Sequence, residues 1–229
     1  MSELVLCELV DPNVEGYETW SPFCMKAHRA LRFAGLTYSR RHGRIPAEFQ
    51  PLNPTGQIPV LLVDGTPVAD SSRILRKVDE LAGTSLTKSA EARLWEELAD
   101  TSLSAYLVAS RWADDRNWPA VRRAYFGPAP DQVVAPIRER VIEGLHAREV
   151  WRAGPDACWA NLRELLGALD ERAPREGFWL GAELTAADIG LFAMVHGLRA
   201  PLSPPQAEEV ARRERLTAYI DRVHAATKG

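Results

Sequence analysis

The stretch Thr19-Trp20-Ser21-Pro22-Phe23-Cys24-Met25-Lys26 constrains this chain more than any other. Ser21 is a favoured helix N-cap, and Pro22 stands at the first helical position, where its missing N–H costs nothing. Ala27, Ala30, Leu31 and Ala34 follow at helical spacing, and Gly35 supplies a left-handed stop. Before the helix come an apolar run of strand character, Leu4 to Val10, and a polar loop, Asp11 to Trp20. A helix tip of this kind presents unpaired N–H groups and a partial positive charge, so it favours an anion. The plainer reading of Ser21 is a cap worth ~1 kcal/mol.

The pattern continues as alternating elements. Leu36 to His42 is expected to be a second strand, and Pro46, Pro51 and Pro54 allow at most a short helix after it. An apolar strand follows from Gly56 to Val63, with Pro59 at its start. Asp64-Gly65 then signals a hairpin whose return strand is Pro67-Val68-Ala69. Asp70-Ser71 caps a helix carrying Ile74, Leu75, Val78 and Leu81, closed by Gly83. The order β-α-β-(short α)-β-β-α is a thioredoxin-like layout.

Thr84 to Lys88 reads as a connector, which divides the chain into an α/β domain over 1–83, a linker over 84–88 and an all-α domain over 89–229. A long helix is expected from Ser89 to near Trp112, then helices over Trp118 to Phe126, Ile137 to Leu145 and Asp156 to Arg172. Thr185 and Asp188 form a capping box, with Leu184 and Ile189 at the staple positions. Pro201, Pro204 and Pro205 are expected to interrupt the chain before a last helix near Leu216 to Ala225.

Composition narrows the function classes. The formal net charge of −3 does not favour nucleic acid, and the basic cluster Arg40-Arg41-His42 is expected to be a solvated face. No apolar run approaches the ~20 residues of a membrane span. Three widely spaced cysteines, an odd number, suit a reducing cytoplasm. The five histidines lack ligand spacing, so no metal site is expected.

A thioredoxin-like half carrying Ser-Pro-Phe-Cys, Ile-Pro-Val and Asp-Ser, joined to an all-helical half, resembles the glutathione transferase superfamily. Within it, the chain is most similar to the branch of the failed-axon-connections and metaxin-like proteins. That likeness rests on Ser21 to Lys26, Ala69 to Arg76, Ser110-Arg111-Trp112 with Asn117-Trp118, and Thr185 to Asp188 with Leu191-Phe192-Ala193.

The resemblance implies glutathione as co-substrate, a small electrophile as its partner, a detoxifying conjugation and a symmetric homodimer. Ser21 matches the hydroxyl that contacts the glutathione sulfur. Pro59 matches a cis-proline that exposes the Ile58 backbone to the tripeptide, and Asp70 and Ser71 match the pair gripping its γ-glutamyl end. Gln57 is a candidate for the glycyl end, as are His42 and Arg44. Tyr106 and Trp112 are candidates for an apolar pocket.

The loop from Asp11 to Trp20 is long for a cytosolic transferase, and serine in place of cysteine at position 21 argues against a dithiol reductase. Two other readings stand beside conjugation. One is a non-catalytic binding or scaffolding protein of the same fold. The other is glutathione-linked reduction through Cys24, a residue more naturally read as a small buried side chain.

Overall fold

The structure is a computed structural model that describes residues 2–228. Its sheet has four strands, β1 (Leu4–Leu9), β2 (Ser39–Gly43), β3 (Val60–Val63) and β4 (Thr66–Ala69), in the order β2-β1-β3-β4. β1 and β2 are parallel, joined through helix α1 (Pro22–Phe33), while β3 runs antiparallel to both β1 and β4. Helix α2 (Ser71–Ala82) follows β4, and a 3-10 turn (Pro46–Phe49) lies between β2 and β3. This is the mixed thioredoxin-like sheet expected from the sequence.

The local signals act where they stand. Asp64 and Gly65 have φ of 50° and 80°, the two left-handed residues of a tight hairpin that pairs Val63 with Thr66. β2 begins at Ser39 and not at Leu36, because the end of α1 still holds that segment. Gly35 donates to the Arg32 carbonyl and Leu36 to the Leu31 carbonyl, each at 3.0 Å.

β1 is covered on both faces: Leu6 and Cys7, pointing opposite ways, are both fully buried. Cys7 packs with Phe49 and Val60. Gly43 is needed beneath Phe49, since a Cβ there would lie 2.7 Å from its ring.

The chain divides into two compact units that do not follow its linear order. The first comprises Met1–Glu97, Gly177–Ala193 and Asp221–Gly229, and the second Leu98–Glu176 and Met194–Ile220. The remaining helices are α3 (Ala90–Leu98), α4 (Ser104–Trp112), α5 (Trp118–Phe126), α6 (Asp131–Ala147), α7 (Gly154–Arg172), α8 (Ala186–Leu198), α9 (Pro204–Ala211) and α10 (Glu214–Ala226). The C-terminal domain is all-helical, and one of its cores gathers Ala109, Ala113, Leu145 and Cys158 under Tyr106, Trp151 and Trp159.

Several helical expectations change in detail. The long helix after Ser89 is α3, a π-helical turn (Ala99–Leu103) and α4. Ser104 Oγ donates to the Asp100 carbonyl at 2.5 Å and Arg148 to the Thr101 carbonyl at 3.2 Å, so these two carbonyls of the π turn have side-chain donors. α6 starts at Asp131, six residues before Ile137, and tolerates Pro136 inside it. The expected interruption at Pro204-Pro205 is instead the start of α9, because a first turn needs no N–H from either proline.

At Thr185 and Asp188 the carboxylate gathers the start of α8. The Asp188 carboxylate accepts from the Thr185 N–H at 2.9 Å, the Thr185 hydroxyl at 3.0 Å and the Trp179 N–H at 2.7 Å.

Asp79 ties α2 to the segment that follows it. Its carboxylate accepts from the Thr84 hydroxyl at 2.5 Å, and from the Leu86 N–H, the Thr87 N–H and the Thr87 hydroxyl, each at 2.8 Å. Partial burial pushes this carboxyl up, but those four donors outweigh it and hold it below its ordinary 3.8. A depressed carboxylate stabilises the fold above its unfolded value and loses that contribution as pH falls through the folded one. Asp79→Ala should therefore lower stability by about 1–3 kcal/mol at neutral pH. The gap from wild type should close as denaturant melts are taken below pH 3.8.

Candidate functional site

The β3–β4 register pairs Val60 with Ala69, so Pro59 and Asp70 are the next residues along the two strands at one edge of the sheet. Cys7 pairs with Val60, which brings the end of β1 to that same edge. The loop leaving β1 leads to Ser21 at the start of α1, and α1 packs on α2. The sequence candidates Ser21, Ile58-Pro59 and Asp70-Ser71 thus converge on one sheet edge and two helix N-termini.

Ser21 is the N-cap of α1, its Oγ accepting from the Cys24 N–H at 3.3 Å. That bond uses one lone pair and leaves the hydroxyl proton uncommitted by the cap. Thr19, which the sequence reading passed over, is almost fully buried, and its Oγ1 accepts from the Ser21 N–H at 3.2 Å. A hydroxyl two residues ahead of an N-cap is a recurring turn device and was the available signal.

Asp70 is the N-cap of α2, accepting from the Arg73 N–H at 3.0 Å, and it is exposed. Its φ of 81° is a conformation that side-chain-bearing residues rarely hold, and such strain clusters at functional sites. Ser71 opens α2 and is buried. The Ile58–Pro59 peptide is cis, Ile58 is half-buried and Pro59 is buried.

Gln57 is exposed, and its carbonyl accepts from the Asn53 amide at 2.8 Å. His42 and Arg44 are exposed around the end of β2. Tyr106 packs in the helical core beside Trp159, and Trp112 lies in an aromatic cluster with Trp118, Tyr125 and Phe126.

Beneath Ser21 the sequence reading missed a buried charge network. Glu8, facing α1 from β1, has no solvent exposure. His28 Nε2 meets both of its carboxylate oxygens at 3.0 Å, and His28 Nδ1 lies 2.6 Å from the Tyr38 hydroxyl. Arg40, expected on a solvated face, instead donates to Glu8 at 2.5 Å from its Nε. The correction follows from β2 lying beside β1, which puts Arg40 on the face of the buried carboxylate and sets His42 opposite Glu8, 3.8 Å from it.

Lys26, also fully buried, donates to Glu96 of α3 at 2.8 Å, and Ser72 of α2 donates to the same oxygen at 2.8 Å. Three helices are joined there, just behind Asp70 and Ser71. The signal for all of this was an acidic residue inside an apolar strand and four basic ones, Lys26, His28, Arg29 and Arg32, in one twelve-residue helix.

Cys24 is fully buried, and burial together with Glu8 drives its thiol well above its ordinary value; Ser21 and Thr19 only partly offset this. Burial therefore disfavours the thiolate that a nucleophile needs. Among the described residues, no three His, Cys, Asp or Glu side chains gather as a metal site, and no helix is long and apolar enough to cross a membrane.

Known proteins share this fold. The family description "Glutathione S-transferase N-terminal domain" matches residues 22–117, and "Glutathione S-transferase, C-terminal domain" matches 135–222. A solved glutathione S-transferase III in apo form is 20% identical with a TM-score of 0.62, over 99% of this chain and 94% of that one. The beta-etherase LigF from Sphingobium sp. is 21% identical with a TM-score of 0.63, over 98% and 97%. A glutathione transferase family member from Pseudomonas fluorescens, solved with two glutathione bound, is 16% identical with a TM-score of 0.62, over 97% and 88%.

The cysteines supply a direct check on the site's chemistry. All three are free and buried, and burial raises each thiol, Cys158 to about 12. A chromogenic disulfide reagent at pH 8 should titrate none of them in the native protein within minutes and three after denaturation. Rapid reaction at Cys24 in the folded state would contradict this geometry.

Proposed function

The chain belongs to the glutathione S-transferase superfamily, and we propose that it conjugates the glutathione thiol to small electrophiles, with the Ser21 hydroxyl holding the thiolate. The observation that carries the proposal is the place of the Ser21 hydroxyl at the N-terminus of α1, where the cap draws on a lone pair and not on the proton. A free thiol of pKa ~8.5 is only a few per cent ionised at neutral pH. Lowering it by ~2 units takes ~2.7 kcal/mol, within reach of one charge-assisted hydrogen bond and the α1 dipole.

In this reading Asp70 meets the γ-glutamyl ammonium, Ser71 its carboxylate, and the Ile58 backbone beside cis-Pro59 pairs with the tripeptide. Gln57, His42 and Arg44 remain the candidates for the glycyl end. The strained backbone of Asp70 supports its role, since a cap alone does not require a positive φ.

The wider reading keeps the sequence division into 1–83, 84–88 and 89–229, a symmetric homodimer, a cytoplasmic setting and a detoxifying role. It sets the chain beside the failed-axon-connections and metaxin-like branch on its Ser-Pro-Phe-Cys and Asp-Ser-Ser-Arg stretches. Three free cysteines support the reducing compartment.

Two substitutions test the chemistry. Ser21→Ala should raise the bound thiol's pKa in an ultraviolet thiolate titration and slow conjugation of an aromatic electrophile roughly ten- to a hundredfold, ~1.4–2.7 kcal/mol. Its stability should fall by only ~1 kcal/mol. Unchanged titration and turnover would leave Ser21 a cap.

Asp70→Asn keeps a good capping side chain and removes the charge, so calorimetry should show glutathione binding weakened by about 1.5–3 kcal/mol. Equal affinity removes Asp70 from the site. No binding by either protein favours the scaffolding reading.

A further inference from the structure

Arg40 belongs to no group proposed to touch glutathione, yet every nitrogen of its guanidinium is committed. Nε donates to Glu8 at 2.5 Å, one terminal nitrogen to Asp11 Oδ2 at 2.6 Å, and the other to the Glu18 carbonyl at 2.7 Å. These acceptors are the end of the central strand, the beginning of the loop over residues 11–20 and the end of that loop. The loop itself contains little order: one bridge between Val14 and Tyr17, and left-handed turns at Asn13 and Gly16.

Glu18 is held from its other side by α1. Arg29 donates to its carboxylate at 2.9 and 3.0 Å, and Arg32 also pairs with it. The next residue is Thr19, whose hydroxyl receives the Ser21 N–H, and Ser21 follows two residues on.

We infer that Arg40 is a positioning residue, which fixes the Ser21 hydroxyl by pinning both ends of the 11–20 loop to the sheet. The inference rests on the proposed function in taking that hydroxyl as the thiolate donor. It also accounts for the length of the loop. The twelve residues between β1 and α1 are tolerable beside a reacting sulfur only if the last of them are held fast, since small misplacements at the reacting group are costly. A planar fork with three directed bonds does this, whereas an ammonium cannot reach all three acceptors.

Arg40→Lys is the discriminating variant because it keeps a cation beside buried Glu8 and loses the fork; Arg40→Gln is the control that strips the charge as well. Amide hydrogen exchange on the unliganded full-length protein reads the loop. Arg40→Lys should speed exchange in residues 11–20 about tenfold while β3 and α2 exchange as in wild type.

In the same variant the bound glutathione thiol should titrate about one pH unit higher, and kcat with an aromatic electrophile should fall about tenfold. KM for glutathione should stay within about twofold, since Asp70 and Ser71 are on other elements. Arg40→Gln should show the same changes with an added loss of stability.

A looser loop with wild-type titration and kcat overturns the positioning role, as does unchanged loop exchange or loosening spread over the whole sheet. If Ser21→Ala titrates as wild type, the functional reading falls and this one with it. If Ser21→Ala shifts and Arg40→Lys does not, only the role of Arg40 falls.

Discussion

A carboxylate with no exposure to water sits in the central strand, and much of the first unit is arranged around it. Removing a charge from water costs several kcal/mol unless partners replace the solvent. Glu8 obtains His28 from α1 and Arg40 from β2. Placing His28 over Glu8 fixes the rotation of α1 about its axis. Lys26 and Arg29, both fully buried, then face other directions and require their own partners. Glu96 and Ser72 serve Lys26, while Glu18 and the face of Phe192 at 4.9 Å serve Arg29. The helix that presents Ser21 is therefore oriented by charge as well as by apolar packing.

The same network explains which features could be read from the sequence. Ser21-Pro22, Asp64-Gly65, Asp70 and Gly83 act within a few residues of themselves, so the strand, hairpin and cap assignments followed from local chemistry. The hairpin register sets Pro59 beside Asp70. Glu8 with His28 and Glu8 with Arg40 are separated by 20 and 32 residues, and nothing local distinguishes Arg40 from Arg41. The parallel register alone makes one a clamp and leaves the other exposed. Prolines misled in the opposite sense at α9, where they begin a helix. The positive φ of Asp70 had no sequence signal at all, since any capping residue fits that pattern.

Fold and activity remain separate statements. A transferase in apo form and a beta-etherase share this architecture with the chain at 20% and 21% identity, so the architecture alone selects no reaction. The proposed chemistry draws on a small constellation at the sheet edge: the Ser21 hydroxyl at a helix N-terminus, the Asp70 carboxylate on strained backbone and cis-Pro59. Capping and thiolate binding draw on different parts of the Ser21 hydroxyl, so a cap is no argument against a catalytic role.

The most direct measurement is a crystal structure of the full chain grown with glutathione. The account predicts the tripeptide along this sheet edge, its ammonium on Asp70 and its sulfur within hydrogen-bond reach of Ser21 Oγ. A sulfur lying closer to Thr19 or Cys24 than to Ser21, or a tripeptide bound away from Ile58 and Asp70, would contradict it.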